Sequence, residues 1–212
     1  MSQITEPKNA RSRRTRAALL RAARELIENT GFEAVTMAAV AERAGVSHRA
    51  LYLHFGSRSQ LLTALYQDLA DTEELAASLK RVWAAPDAVS ALTEWAEHIA
   101  RSHPRILAVN RAIERARSTD TDAEELWSLT MRNWLSSCRR LSRWLEEDAR
   151  LSPAWTVDTA ADMLWCLMSW DVTERLVVSR SWSRARFGRQ LAAMLTATFV
   201  APVAEETNRR SE

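Results

Sequence analysis

Glycine placement constrains the fold of this 212-residue chain more than any other feature. Three of its four glycines, Gly31, Gly45 and Gly56, fall within one 26-residue window near the N-terminus, and the fourth is Gly188. Glycine is the default residue where a chain must turn tightly with positive φ, so the short connections belong in that window. Beyond it, apolar residues recur at three- and four-residue steps, with few β-branched runs and no alternating pattern. That periodicity predicts long helices and argues against a sheet, so the expected fold class is all-α.

Pro86, Pro104 and Pro153 each suit the first turn of a helix, where no amide hydrogen is needed, and Ser152 is a ready N-cap before Pro153. Working outward from these breaks gives about nine helices, near 11–29, 37–44, 48–54, 58–80, 87–101, 104–117, 122–150, 154–180 and 184–201. The polar ends, 1–10 and 205–212, are expected to be disordered tails. This leaves an N-terminal domain over 1–66 with the short connections and a longer helical domain over 67–204.

The charge is divided unevenly. Residues 1–66 hold ten Lys and Arg against five Glu, a balance of +5 that leaves −3 for the rest of a chain whose total is +2. A basic head on a mildly acidic body fits a nucleic-acid partner, because phosphate attraction is the main sequence-independent affinity term. Two cysteines, Cys138 and Cys166, make neither a metal spacing nor a disulfide framework. With no run of about 18 apolar residues, the reading is a cytoplasmic protein with no membrane partner, no metal and no cofactor.

In the first helix Leu19, Leu20, Ala23, Leu26 and Ile27 form one stripe, with Arg13, Arg14, Arg21 and Arg24 mostly off it. Thr36 and Ser47 each stand where an N-cap belongs, and Ala44-Gly45-Val46 reads as the turn between two short helices, a helix-turn-helix. Val40, Val46 and Leu51 face the shared core. In the second short helix, Arg49 can donate two hydrogen bonds to a guanine edge, His48 can meet a base edge or phosphate, and Ala50 can meet a thymine methyl. Tyr52 and His54 are placed to reach phosphates. Ser57-Arg58-Ser59-Gln60 reads as a capping box whose free amides, with Arg58, form a phosphate-binding helix end.

These residues together resemble the TetR family. Gly31-Phe32, Val35-Thr36, Val40-Ala41, Ala44-Gly45-Val46-Ser47, Leu51-Tyr52, His54-Phe55 and Ser57-Arg58 with Leu61-Leu62 match that family's N-terminal pattern across about residues 11–66. The resemblance implies a bacterial transcription regulator with Thr36, Ser47, His48, Arg49, Tyr52, His54 and Arg58 at the DNA surface. The family commonly has Lys where Arg58 stands, a change that keeps the charge and adds a planar fork. The resemblance also implies a homodimer built from the last two helices, for which Leu164, Leu167, Met168, Leu191, Leu195 and Phe199 supply apolar surface. A two-fold protein would read a palindromic operator, with half-sites about 34–36 Å apart.

Past residue 66 no motif guides the reading. Seven of nine tryptophans, Trp127, Trp134, Trp144, Trp155, Trp165, Trp170 and Trp182, lie in the last 90 residues, and Trp127, Met131, Trp134, Cys138, Leu141 and Leu145 share one helical stripe. Such residues either fill a core or line a pocket for a small hydrophobic or aromatic effector; Trp127, Met131, Trp134, Trp165 and Asp171 are the candidate lining. The acids Asp162, Asp171 and Glu174 could favour a cationic ligand or simply pair with arginines. In the repressor reading, an unidentified small-molecule effector swings helix 58–80 and releases double-stranded operator DNA. An enzyme finds no support, since His98 and His103 lack a nucleophile nearby, no Gly-rich phosphate loop occurs and no catalytic residue stands out. A DNA-binding protein that senses nothing is the remaining alternative.

Overall fold

A computed structural model describes residues 10–72 and 75–202, and is all-helical among them apart from a single bridge between Leu151 and Val200. Among the described residues there are ten α-helical segments where the sequence predicts nine helices. They are α1 Ala10–Thr30, α2 Met37–Arg43, α3 His48–Tyr52, α4 Arg58–Thr72, α5 Leu75–Trp83, α6 Ala88–Ala116, α7 Thr121–Glu147, α8 Val157–Leu167, α9 Trp170–Thr173 and α10 Arg184–Phe199. A 3-10 turn, Phe32–Ala34, precedes α2, and a π-helical stretch, Glu174–Ser179, follows α9. Of the expected tails at 1–10 and 205–212, Ala10 is helical and opens α1, and the rest lie outside the described residues.

The expected helix 58–80 is described as α4 and α5, and three further boundaries differ from the sequence reading for a physical reason. Pro104 does not start a helix; it sits inside α6. Proline removes only one backbone hydrogen bond there, and the buried residues before and after it, Ala96, Ile99, Ile106 and Val109, hold the helix on both sides. Pro153 does not start one either. The helix begins four residues later, where Thr156 and Thr159 bond each other's backbone amides in a reciprocal capping box. The expected helix 154–180 breaks at Ser169, whose extended backbone lets Trp170 start a new turn and bury itself.

The chain divides into two compact units: the residues up to Ala77 with Ser102–Asn133, and Ser78–Arg101 with the residues from Trp134 on. The first has one continuous core in which Leu19, Leu20 and Ile27 of α1, Val40 of α2, Leu51 of α3 and Leu61 and Leu65 of α4 pack with Val109 and Ile113 of α6 and Leu126 of α7. Burying aliphatic side chains of this size contributes roughly 1.5–3 kcal/mol each, which is what holds helices as short as α2 and α3.

In the second unit, Trp134 meets Trp170 edge-on with ring centroids 5.1 Å apart, and Trp95 donates its indole N–H to the sulfur of Met168 at 2.7 Å. Trp155 donates to the Thr198 carbonyl at 2.9 Å and packs on Phe199. Cys138 is enclosed, and burial pushes its thiol up to about 12, so it behaves as an apolar core residue.

Candidate nucleic-acid interface

The helix-turn-helix is built by its caps. Thr36 Oγ1 accepts the Ala39 amide at 3.1 Å and opens α2. At the far end of α2, Gly45 has φ +67, its amide bonds the Glu42 carbonyl, and the next amide, of Val46, bonds Ala41. This pair of bonds is the Schellman arrangement, and the left-handed residue it needs is cheapest as glycine. Ser47 then turns the chain and caps α3, its Oγ accepting the Ala50 amide at 3.2 Å.

With Leu51 fully buried, the other face of α3 is forced outward. His48 and Arg49 are exposed, and Tyr52 is 54% exposed. Leu53, which sequence reasoning missed, is 81% exposed. The signal for it was present: a residue two positions from a buried Leu on a helix points away from the core. Thr36 and Ser47 are exposed as well, so five of the seven predicted residues stand on the surface of this motif.

The other two are different. His54 is half-buried against Phe55, and burial, then the charge of Arg16, lower its pKa below the usual value. It is therefore neutral near pH 7 and can offer a hydrogen bond but not a charge. Arg58 is turned inward, with its guanidinium on two backbone carbonyls and on Asp120 and Asp122. The expected capping box is present in altered form: Ser57 Oγ accepts the Gln60 amide, but Gln60 Oε1 accepts the Gly56 amide instead of that of Ser57.

The predicted pocket residues are divided between the two units. Trp127 and Met131 belong to the first unit, where Trp127 packs on the core beneath the Arg117 guanidinium, 5.3 Å from its ring centroid. Of the three in the second unit, Trp134 is buried on Trp170, while Trp165 and Asp171 are exposed. The predicted dimer residues are spent within one chain: Leu164, Met168, Leu191, Leu195 and Phe199 are all buried, and Leu167 is half-buried. What α8 and α10 leave outside instead is Met163, Trp165 and Met194, each 38% exposed. Helical spacing alone could not tell which of two apolar stripes the chain's own core would take.

A polar pair unnoticed in the sequence lies in the first unit. Tyr66 donates its hydroxyl to Asn110 Oδ1 at 2.7 Å. Asn110 is buried, and its Nδ2 has no partner among the described residues. Also among the described residues, no helix is long and apolar enough to cross a membrane.

An all-helical chain with a capped two-helix motif that exposes one face of its second helix defines a helix-turn-helix protein. Residues 19–65 match the family model described as bacterial regulatory proteins, tetR family. The regulator TtgR of Pseudomonas putida is 37% identical over 60 residues, a stretch covering 28% of this chain and 29% of TtgR. The chain thus matches less than a third of that relative's length. Among solved structures, the fold is similar to that of NalD from Pseudomonas aeruginosa, with TM-score 0.68 and 20% identity over 90% of this chain and 98% of NalD. It is also similar to that of the fatty acid degradation regulator FadR from Bacillus halodurans, with TM-score 0.66 and 14% identity over 90% and 96%. Residues 19–65 thus carry a head similar to that of the tetR family, and the whole chain has a fold similar to those of these solved regulators.

Proposed function

We propose that this protein is a transcription regulator that binds a palindromic operator as a homodimer and, as a repressor, leaves it when a small effector binds. The observation that carries the reading is the outward face of α3, with exposed His48, Arg49 and Tyr52 opposite buried Leu51. Arg49 has the donor geometry for a guanine edge, and Thr36, Ser47, Tyr52 and neutral His54 supply hydrogen bonds to phosphates around it. In this division of labour residues 1–66 read DNA and residues 67–204 sense and pair. The pairing surface is the exposed apolar side of α8 and α10, marked by Met163, Trp165 and Met194.

The likeness to NalD, described as a secondary repressor of a multidrug efflux pump, supports the repressor side. The unpartnered amide of Asn110 supports the effector. A buried donor without an acceptor costs roughly 1–3 kcal/mol, and a ligand carrying an acceptor would recover it.

Selection of bound duplexes from a random library at fixed salt tests the reading. A two-fold symmetric consensus bound by two chains is expected; binding that depends on salt but not on sequence would overturn it.

A further inference from the structure

Arg58 makes an unusual set of contacts. Its Nε donates to the Val35 carbonyl at 2.6 Å and its Nη2 to the Phe32 carbonyl at 3.2 Å, with the guanidinium 4.8 Å from the centroid of the Phe32 ring. Its Nη1 lies 3.0 and 2.9 Å from the two carboxylate oxygens of Asp120 and 3.0 Å from Asp122 Oδ2. The two carbonyls belong to the turn Phe32–Ala34 and to the residue after it, directly before Thr36, the cap of α2. The two carboxylates stand at the start of α7, where Asp120 Oδ1 also accepts the Ala123 amide at 3.2 Å.

One side chain therefore spans two elements. At one end it holds the entrance to the helix-turn-helix, and at the other the first turn of α7. Two carboxylates against one guanidinium leave the cluster with a net negative charge, which repels a phosphate, and a phosphate could reach Arg58 only by displacing them. Only a planar fork of donors can serve two carbonyls and two acids at once; a lysine ammonium at this position cannot.

We infer that Arg58 is a positioning residue for DNA recognition, clamped by Asp120 and Asp122, and that through it the start of α7 sets the placement of α2 and α3. This rests on the DNA-binding reading above. Asp120 is suited to the task. Burial works against its ionisation, but the Arg58 hydrogen bond, the Ala123 amide and the Arg58 charge outweigh burial and keep its pKa below the usual carboxylate range.

The test is the double substitution Asp120→Asn with Asp122→Asn in the full chain, measured on the selected duplex over a range of salt. A phosphate-binding Arg58, freed from its acids, would bind more tightly and with a steeper salt dependence, and removing two negative charges favours DNA on Coulomb grounds alone. The clamp predicts the opposite sign: affinity at least about fivefold weaker, with the salt slope unchanged. Unchanged or tighter binding overturns it.

Hydrogen exchange supplies a readout that needs no DNA, and so separates failure of the clamp from failure of the DNA-binding reading. The amides of residues 32–40 should exchange faster in the double variant while those of α1 stay protected; equal protection at 32–40 would contradict the inference. Should the double variant fail to unfold cooperatively, Arg58→Lys decides. It keeps the charge and loses the fork, so binding must weaken at constant salt slope, and wild-type affinity would sink the clamp.

Discussion

Leu51 and Tyr52 are neighbours in the chain and opposite in environment, the first fully buried and the second 54% exposed. A five-residue helix has no stability of its own, so the anchor at Leu51 is what aims Arg49 and Tyr52 outward. Leu51→Ala should cost about 2–5 kcal/mol of stability and take DNA affinity with it. Tyr52→Ala should leave denaturant unfolding within about 0.5 kcal/mol of wild type yet weaken binding to all sequences alike. Chemical denaturation alongside titration of a selected duplex checks both.

Ser47 links cap and function in the same way, since its Oγ holds the first turn of α3 through the Ala50 amide. Ser47→Ala is expected to lower stability by about 1 kcal/mol, and Ser47→Asp to recover most of that loss while weakening DNA binding through phosphate repulsion. Measured stability and affinity should therefore separate in the Asp variant, and parallel recovery of both would contradict a DNA-facing Ser47.

Helix α7 is closed by Ala149, two residues past its last residue Glu147, in the left-handed region with φ 53, with the Ala149 amide on Glu146 and the Arg150 amide on Leu145. This is the same closing arrangement as at Gly45, made with a residue that carries a Cβ. Ala149→Gly removes that strain and should raise stability by about 0.5–1 kcal/mol, read as a higher denaturation midpoint at constant slope.

His98 gives the unfolding equilibrium a pH dependence of defined sign. Burial, then the charges of Arg101 and Arg81, lower its pKa from 6.5 to about 4. Between those values the unfolded chain takes up a proton that the folded chain refuses. The contribution is therefore complete above about pH 6.5 and is lost as pH falls toward 4, by at most about 3 kcal/mol. Wild type should lose stability relative to His98→Gln across that window, and a constant difference would contradict it.

The head was legible because each of its constraints is local. Thr36, Gly45 and Ser47 are required by turn and cap geometry, and the structure uses all three in those roles. Arg58 shows where local reading stops. Its sequence neighbourhood marks a helix start open to phosphate, but its partners are 62 and 64 residues away on α7, and no spacing rule announces them. The same limit hid the choice between two apolar stripes on α8, where Leu164 went inward and Met163 and Trp165 stayed out. Tyr66 and Asn110, 44 residues apart, became a pair only through packing.

Arg49 is the exposed side chain on α3 with the donor geometry to read a guanine. The most direct measurement is the ratio of affinities for the selected duplex and for one changed at a single symmetric G·C pair, taken at one salt concentration with wild type and with Arg49→Ala. Wild type should show a preference worth about 1–3 kcal/mol per half-site at one such pair, abolished in Arg49→Ala, while both proteins bind the changed duplex with similar affinity. An Arg49→Ala protein that keeps the full wild-type preference at every position would contradict it.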